Sequence, residues 1–138
     1  MANVIGRQIT VDGPRNAVVK FTGVLDSSDI VEAPALSLSD MVGNDQSAGP
    51  LRGFRIDLLE WSISAGLEVV IEWNAGTAQQ AFPIAGRGRI NGWNYGGFIP
   101  DLLRSGIDGA INLRTQNYPP GTIANFAITL ELIKLYNK

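Results

Sequence analysis

Apolar and polar residues alternate along most of this chain with a period of two, the spacing of a strand with one face buried and the other wet. Leu67, Val69, Ile71 and Trp73 share one phase; Glu68 and Glu72 take the other, with Val70 between them. In residues 54–63 the phase changes midway. Phe54, Ile56 and Leu58 alternate with Arg55 and Asp57, then Leu59, Trp61 and Ile63 alternate with Glu60 and Ser62. A one-residue slip exchanges the two faces of a strand, so the pattern predicts a β-bulge or bend near Leu58–Leu59. The C-terminal run repeats the device: Phe126, Ile128, Leu130 and Leu132 share a face, after which Ile133 and Leu135 carry the apolar phase around Lys134.

Nearer the N-terminus, residues 4–11 and 16–25 are two β-rich runs separated by Asp12-Gly13-Pro14-Arg15. Glycine supplies positive φ and proline fixes the next residue, so this is turn chemistry and the pair reads as a hairpin. Gly23 inside the second run predicts a bulge or a close backbone approach. Residues 30–31 and 35–38 are short strand candidates, 39–50 a loop, and 79–84 a strand ending near Pro83. Residues 86–97 (GRGRINGWNYGG) read as a glycine–aromatic loop, 100–104 as one helical turn, 110–113 as a short strand, and 117–122 as a turn. About eight strands with uneven loops and no helix of three turns predict a single all-β domain over residues 1–138. The expected form is an antiparallel β-sandwich of jelly-roll type.

Composition narrows the chemistry. The chain has no histidine and no cysteine. The commonest neutral-pH base and metal ligand, and the readiest nucleophile, are therefore missing. No catalytic residue, metal or cofactor is expected. Charged residues make up 17% of the chain against about 25% in a typical soluble domain, which points to a surface partly covered by other protein. Eleven basic residues are scattered among thirteen acidic ones, so neither nucleic acid nor a membrane surface is an expected partner. The start of the chain, MANVIGRQITVDG, lacks a basic region followed by an apolar run, and no signal peptide is expected.

The remaining candidates are surfaces. Gly86-x-Gly88 continues to Asn91 where a dinucleotide fingerprint needs a third glycine, and the motif is read as a turn. Trp93, Tyr95 and Phe98 lie among glycines. They can close an open end of the sandwich, anchor a protein interface, or stack on sugar rings. Arg87 and Arg89 flank them and suit carboxylates of a neighbouring subunit. Asn3, Val4 and Ile5 are a second contact candidate, as a short arm reaching onto a neighbour. Asp57, Glu60, Glu68 and Glu72 are read as charges on a solvated sheet face rather than a glycosidase pair. Asp40, Asn44 and Asp45 are read as a polar loop rather than a calcium site.

Three stretches, GRQITVDGPRNAVVKFTGVLD, WNAGTAQQAFPIAGRGRINGWNYGGF and PPGTIANFAITLELIKLY, together resemble a family of small virion proteins of tailed bacteriophages, over nearly the whole chain. The resemblance implies a structural particle protein made in the host cytoplasm. Its implied place is the outer capsid surface, as a head decoration (cement) protein with the major capsid protein and further copies of itself, as dimer or trimer, for partners. It implies no catalytic residues. Other readings of the same residues are a head–tail connector or tail component, a carbohydrate-binding module centred on Trp93, or an enzyme relying on a shifted carboxylate.

Overall fold

The computed structural model describes residues 3–13, 15–30, 33–37, 40, 51–75, 77, 79–92, 97–99 and 109–136. Among them nine strands follow in chain order: β1 (Val4–Asp12), β2 (Asn16–Leu25), β3 (Ala33–Leu36), β4 (Leu51–Ile63), β5 (Glu68–Trp73), β6 (Gln79–Ala85), β7 (Arg87–Asn91), β8 (Ile111–Gln116) and β9 (Ala124–Tyr136). They form two antiparallel sheets, ordered β1-β2-β9-β4-β7 and β3-β8-β5-β6. Without β1, the sheets are β2-β9-β4-β7 and β3-β8-β5-β6, in which consecutive strands mostly alternate between layers. This is the jelly-roll order of two Greek keys, and β1 is one more strand added to the β2 edge. The helical turn expected at residues 100–104 and most of the loop at 39–50 lie outside the described residues.

Sequence periodicity explains the layers. In β2, Ala17, Val19, Phe21 and Leu25 are buried between exposed Asn16, Lys20, Thr22 and Val24. Phe21, Phe54 and Trp73 are the largest side chains filling the space between sheets, joined there by Ile56, Leu59, Ile71, Leu113 and Ile128. The expected hairpin joins β1 to β2, with the Gly13 N–H donating to the Asn16 carbonyl at 2.8 Å. Gly23 does mark a close approach, because a Cβ there would stand 2.3 Å from Cε1 of Phe126. Phe126 is opposite Gly23 on β9, and its ring lies over the bare backbone. Gly88 on β7 is covered in the same way by Trp61 on β4. An aromatic ring lying on a strand glycine recovers apolar contact that the glycine alone cannot make.

The bulge expected near Leu58–Leu59 is present in β4, at Asp57: Ile56 pairs with Leu132 and Leu58 with Glu131, leaving Asp57 as the extra residue, whereas several other expectations need correction. Leu58 thus turns to the outer face and Leu59 to the core. β9 does not repeat the device. Its pairing with β2 runs unbroken from Ala124 to Ile133. The apparent change of phase arises because Lys134 occupies the next inward position and is buried, its side chain fully enclosed. Its ammonium donates to the Asp12 carboxylate and to the Gly13 carbonyl. Residues 87–91, read as loop, form strand β7 beside β4. Glu72, read as solvated, is buried at 6% exposure, its Oε2 3.4 Å from Arg114 Nε and its Oε1 without a hydrogen-bond partner. The outer side of β5 carries a polar lattice rather than free charges: Gln116 Nε2 donates to Glu68 at 2.7 Å, and Arg114 donates to Gln116 at 3.0 Å.

One residue, Gly86, separates β6 in one sheet from β7 in the other, in a backbone conformation (φ 67°) that favours glycine. The corner is filled by a row of rings: Trp61 and Phe82 have centroids 6.5 Å apart, Phe82 and Phe98 5.5 Å apart. The Trp61 indole N–H donates to the Ala85 carbonyl at 2.9 Å.

The buried ion pair and the covered glycine each have a measurable consequence. Removing one partner from a buried ion pair leaves an uncompensated charge, so Asp12→Ala should cost about 3–5 kcal/mol in urea unfolding. The double variant Asp12→Ala/Lys134→Met should recover a large part of that loss. Gly23→Ala should cost about 1–3 kcal/mol by overpacking against Phe126, and combining it with Phe126→Leu should give less than the sum of the two single effects.

Candidate interaction surface

The contact residues expected from sequence separate onto the two edges of the five-stranded sheet. At one edge, β7 carries Arg87 and Arg89, both exposed and both turned to the outer face, opposite Ser62 and Glu60 of β4. Arg89 Nε is 3.9 Å from Glu60 Oε2, a loose pair on a wet surface that contributes little to stability. Phe98 does not join them there. It bridges Ile56 through a reciprocal pair of backbone hydrogen bonds, each 2.9 Å, and its half-buried ring packs on Phe82. Its place in the aromatic corner corrects the expectation of a contact residue. The sequence signal was ambiguous because a ring among glycines suits a lid as well as a contact. Trp93 and Tyr95 lie outside the described residues.

At the other edge, residues 3–5 are not a free arm. Val4 and Ile5 belong to β1, paired with Val24 and Gly23. Asn3 fastens the beginning of the strand to the chain after β2: its Oδ1 accepts from the Asp26 and Ser27 N–H groups at 3.1 and 3.3 Å, and its Nδ2 donates to the Ser28 carbonyl at 2.9 Å. What remains for a partner is apolar. Val4 is 64% exposed and its cross-strand neighbour Val24 43%, while Ile5, 42% exposed, lies across from Gly23 on the opposite face of the strand. Val24 was not singled out from sequence. The signal available was the hairpin register, which places a valine of the wet phase of β2 directly across from Val4.

Elsewhere β1 is tied down by charge. Arg7 reaches Asp40, which follows β3 in chain order, at 2.7 Å. The Ser37 backbone N–H donates to the same carboxylate at 2.8 Å and the Ser37 hydroxyl at 3.1 Å. These donors, the backbone N–H first, hold the Asp40 carboxyl below its ordinary pKa despite the opposing effect of burial. Across the sheet, the Asp57 carboxylate accepts from Arg55 at 2.7 and 3.1 Å and raises the arginine above its usual value.

Among the described residues no group of three or more aspartate or glutamate side chains is placed to hold a metal, and no helix is long and apolar enough to cross a membrane. No family model matches the chain, and no curated protein matches it. Among solved structures, a cupin superfamily protein from Desulfitobacterium hafniense is similar over 98% of this chain and 81% of its own, at 14% identity and a TM-score of 0.38. That likeness adds nothing to what the strand order already shows.

The Asp40 contacts carry a signed pH dependence. A carboxyl whose folded pKa is depressed adds stability above its unfolded value and loses it as pH falls through the folded value. The stability gap between wild type and Asp40→Ala should therefore be full at pH 6–7 and shrink progressively below about pH 4. Urea midpoints measured across that range check it, and a gap that stays constant on acidification would refute the role given to this carboxylate.

Proposed function

We propose that this protein is a structural component of a tailed-phage particle, bound to the outside of the head as a decoration or cement protein. The observation that carries the reading is the exposed apolar pair of Val4, on the strand added outside the eight-stranded jelly roll, and Val24 beside it on β2. The space between the sheets is filled by Trp73, Phe21, Phe54 and their neighbours, so the described molecule offers its outside to partners. Long, exposed, apolar edges are a liability for a monomer and are ordinarily blunted by charge or cover. On a shell they become contact area. Low charge and the resemblance in three segments to small phage virion proteins support the same reading.

The mechanism is mechanical. A domain seated across neighbouring capsid subunits removes apolar surface from water wherever it touches them, and repetition over the shell multiplies a modest single-site affinity. Each valine fully buried there contributes about 1.5–3 kcal/mol. Co-sedimentation with expanded, undecorated heads is the test. Wild type should pellet with the shells. Val4→Asp/Val24→Asp should bind at least about tenfold more weakly, because two valines no longer leave water on binding. Wild-type protein that stays in the supernatant would overturn the proposal.

A further inference from the structure

The outer face of the five-stranded sheet is not flat. Two ladder irregularities lie at a similar level: the β1 register with β2 shifts between Ile9 and Val11, and β4 bulges at Asp57. Bulges bend a strand and increase its local twist. Three depressions follow one another across the sheet at that level. The first holds Val11, Gly13, Arg15 and Asn16. The second shares Val11 and Asn16 with it and adds Val18 and Glu131. The third, of about 210 Å³, shares Asn16, Asp57, Glu131 and Ile133 with the second and ends at Arg89 and Asn91 on β7. Shared walls make them one groove crossing the strands from β1 to β7. Four inter-strand spacings amount to roughly 19 Å, about six residues of extended chain.

The groove is graded in chemistry. Towards β1 its wall has Val11, 47% exposed, and Val18, with Arg15 and Asn16 at the margin. Its β7 end is rich in acceptors. The Glu131 carboxylate has no hydrogen-bond or ion-pair partner among the described residues. Asn91 Oδ1 is buried without a donor. Asp57, already held by Arg55, retains lone pairs beyond the two it uses. Leu58 and Ile133 supply aliphatic wall between these groups. Among the described residues lining this end the cation is Arg89, 3.9 Å from Glu60.

We propose that this groove receives an extended segment of a partner protein, with apolar side chains against Val11 and Val18 and a lysine side chain in the pocket at Asp57 and Glu131. The unpaired Glu131 carboxylate and the remaining lone pairs of Asp57 can accept from an ammonium, and Leu58 and Ile133 match its aliphatic stem. A divalent cation asks for six or more oxygens, which two carboxylates, one of them engaged by arginine, do not provide. The proposal deepens the shell-binding reading by naming the contact the partner makes, and its partner class rests on that reading.

The test uses a probe independent of phage heads. The capped hexapeptide Ac-Val-Leu-Val-Lys-Val-Ser-NH2 and its norleucine-for-lysine counterpart are titrated into ¹⁵N-labelled protein. The lysine peptide should move the amides of Val18, Leu58, Asn91 and Glu131 saturably, and the norleucine peptide should bind at least about tenfold more weakly. Glu131→Gln, on an exposed position that leaves the fold alone, should close most of that difference, and Val18→Arg should block both peptides. Equal binding of the two peptides, shifts confined to other faces, or Glu131→Gln binding as wild type would each overturn the proposal. So would the same shifts appearing on raising protein concentration alone, which would assign the groove to a second copy. On heads, wild type that pellets while Glu131→Lys pellets equally well refutes the groove and spares the shell reading. Wild type that does not pellet refutes the shell reading, and the peptide result stands by itself.

Discussion

β9 is hydrogen-bonded along both sides, to β2 from Ala124 to Ile133 and to β4 from Phe126 to Tyr136. A strand held on both edges cannot slip by one residue without turning its whole apolar set to the wrong face. The rest of the larger sheet adjusts to it. β4 takes up the mismatch by extruding Arg52 and Asp57, and β1 takes up its own at Thr10, while β9 remains regular. The groove on the outer face is a by-product of that division, because the strands free to distort are those farther from the centre.

Layer architecture and most elements were legible in the chain because period two is a direct image of one buried face. The failures have identifiable causes. Lys134 broke the apolar phase without breaking the strand: a lysine is admitted to a core position when a carboxylate and a carbonyl lie within its reach, and Asp12 and Gly13 belong to a turn more than a hundred residues earlier. β7 was hidden because Gly88 has no side chain to show a phase; its partner ring, Trp61, belongs to another strand. Glu72 misled in the opposite sense, since a carboxylate on the outer phase of a central strand looks solvated until Arg114 of β8 is placed beside it. Each miss depends on a contact between distant segments, which periodicity within one segment does not contain.

The candidate surface was less legible than the fold. Arg87 and Arg89 are exposed where the pattern put them, but their companions dispersed: Phe98 went into the aromatic corner and Asn3 into a set of backbone hydrogen bonds. Local composition identifies residues able to make contacts. Which of them the fold has already used depends on the sheet edges, and those follow from topology.

The two sides of the sandwich are closed by unlike means. On the β6–β7 side the layers are covalently continuous through Gly86 and sealed by three rings. On the β1–β3 side they are held by polar contacts: Ile30, on the chain after β2, exchanges hydrogen bonds with Thr115 of β8, and Arg7 reaches Asp40. The molecule is thus built like a book, with a bound spine and a clasped fore-edge. Rings and a glycine bind one margin, and polar contacts fasten the other.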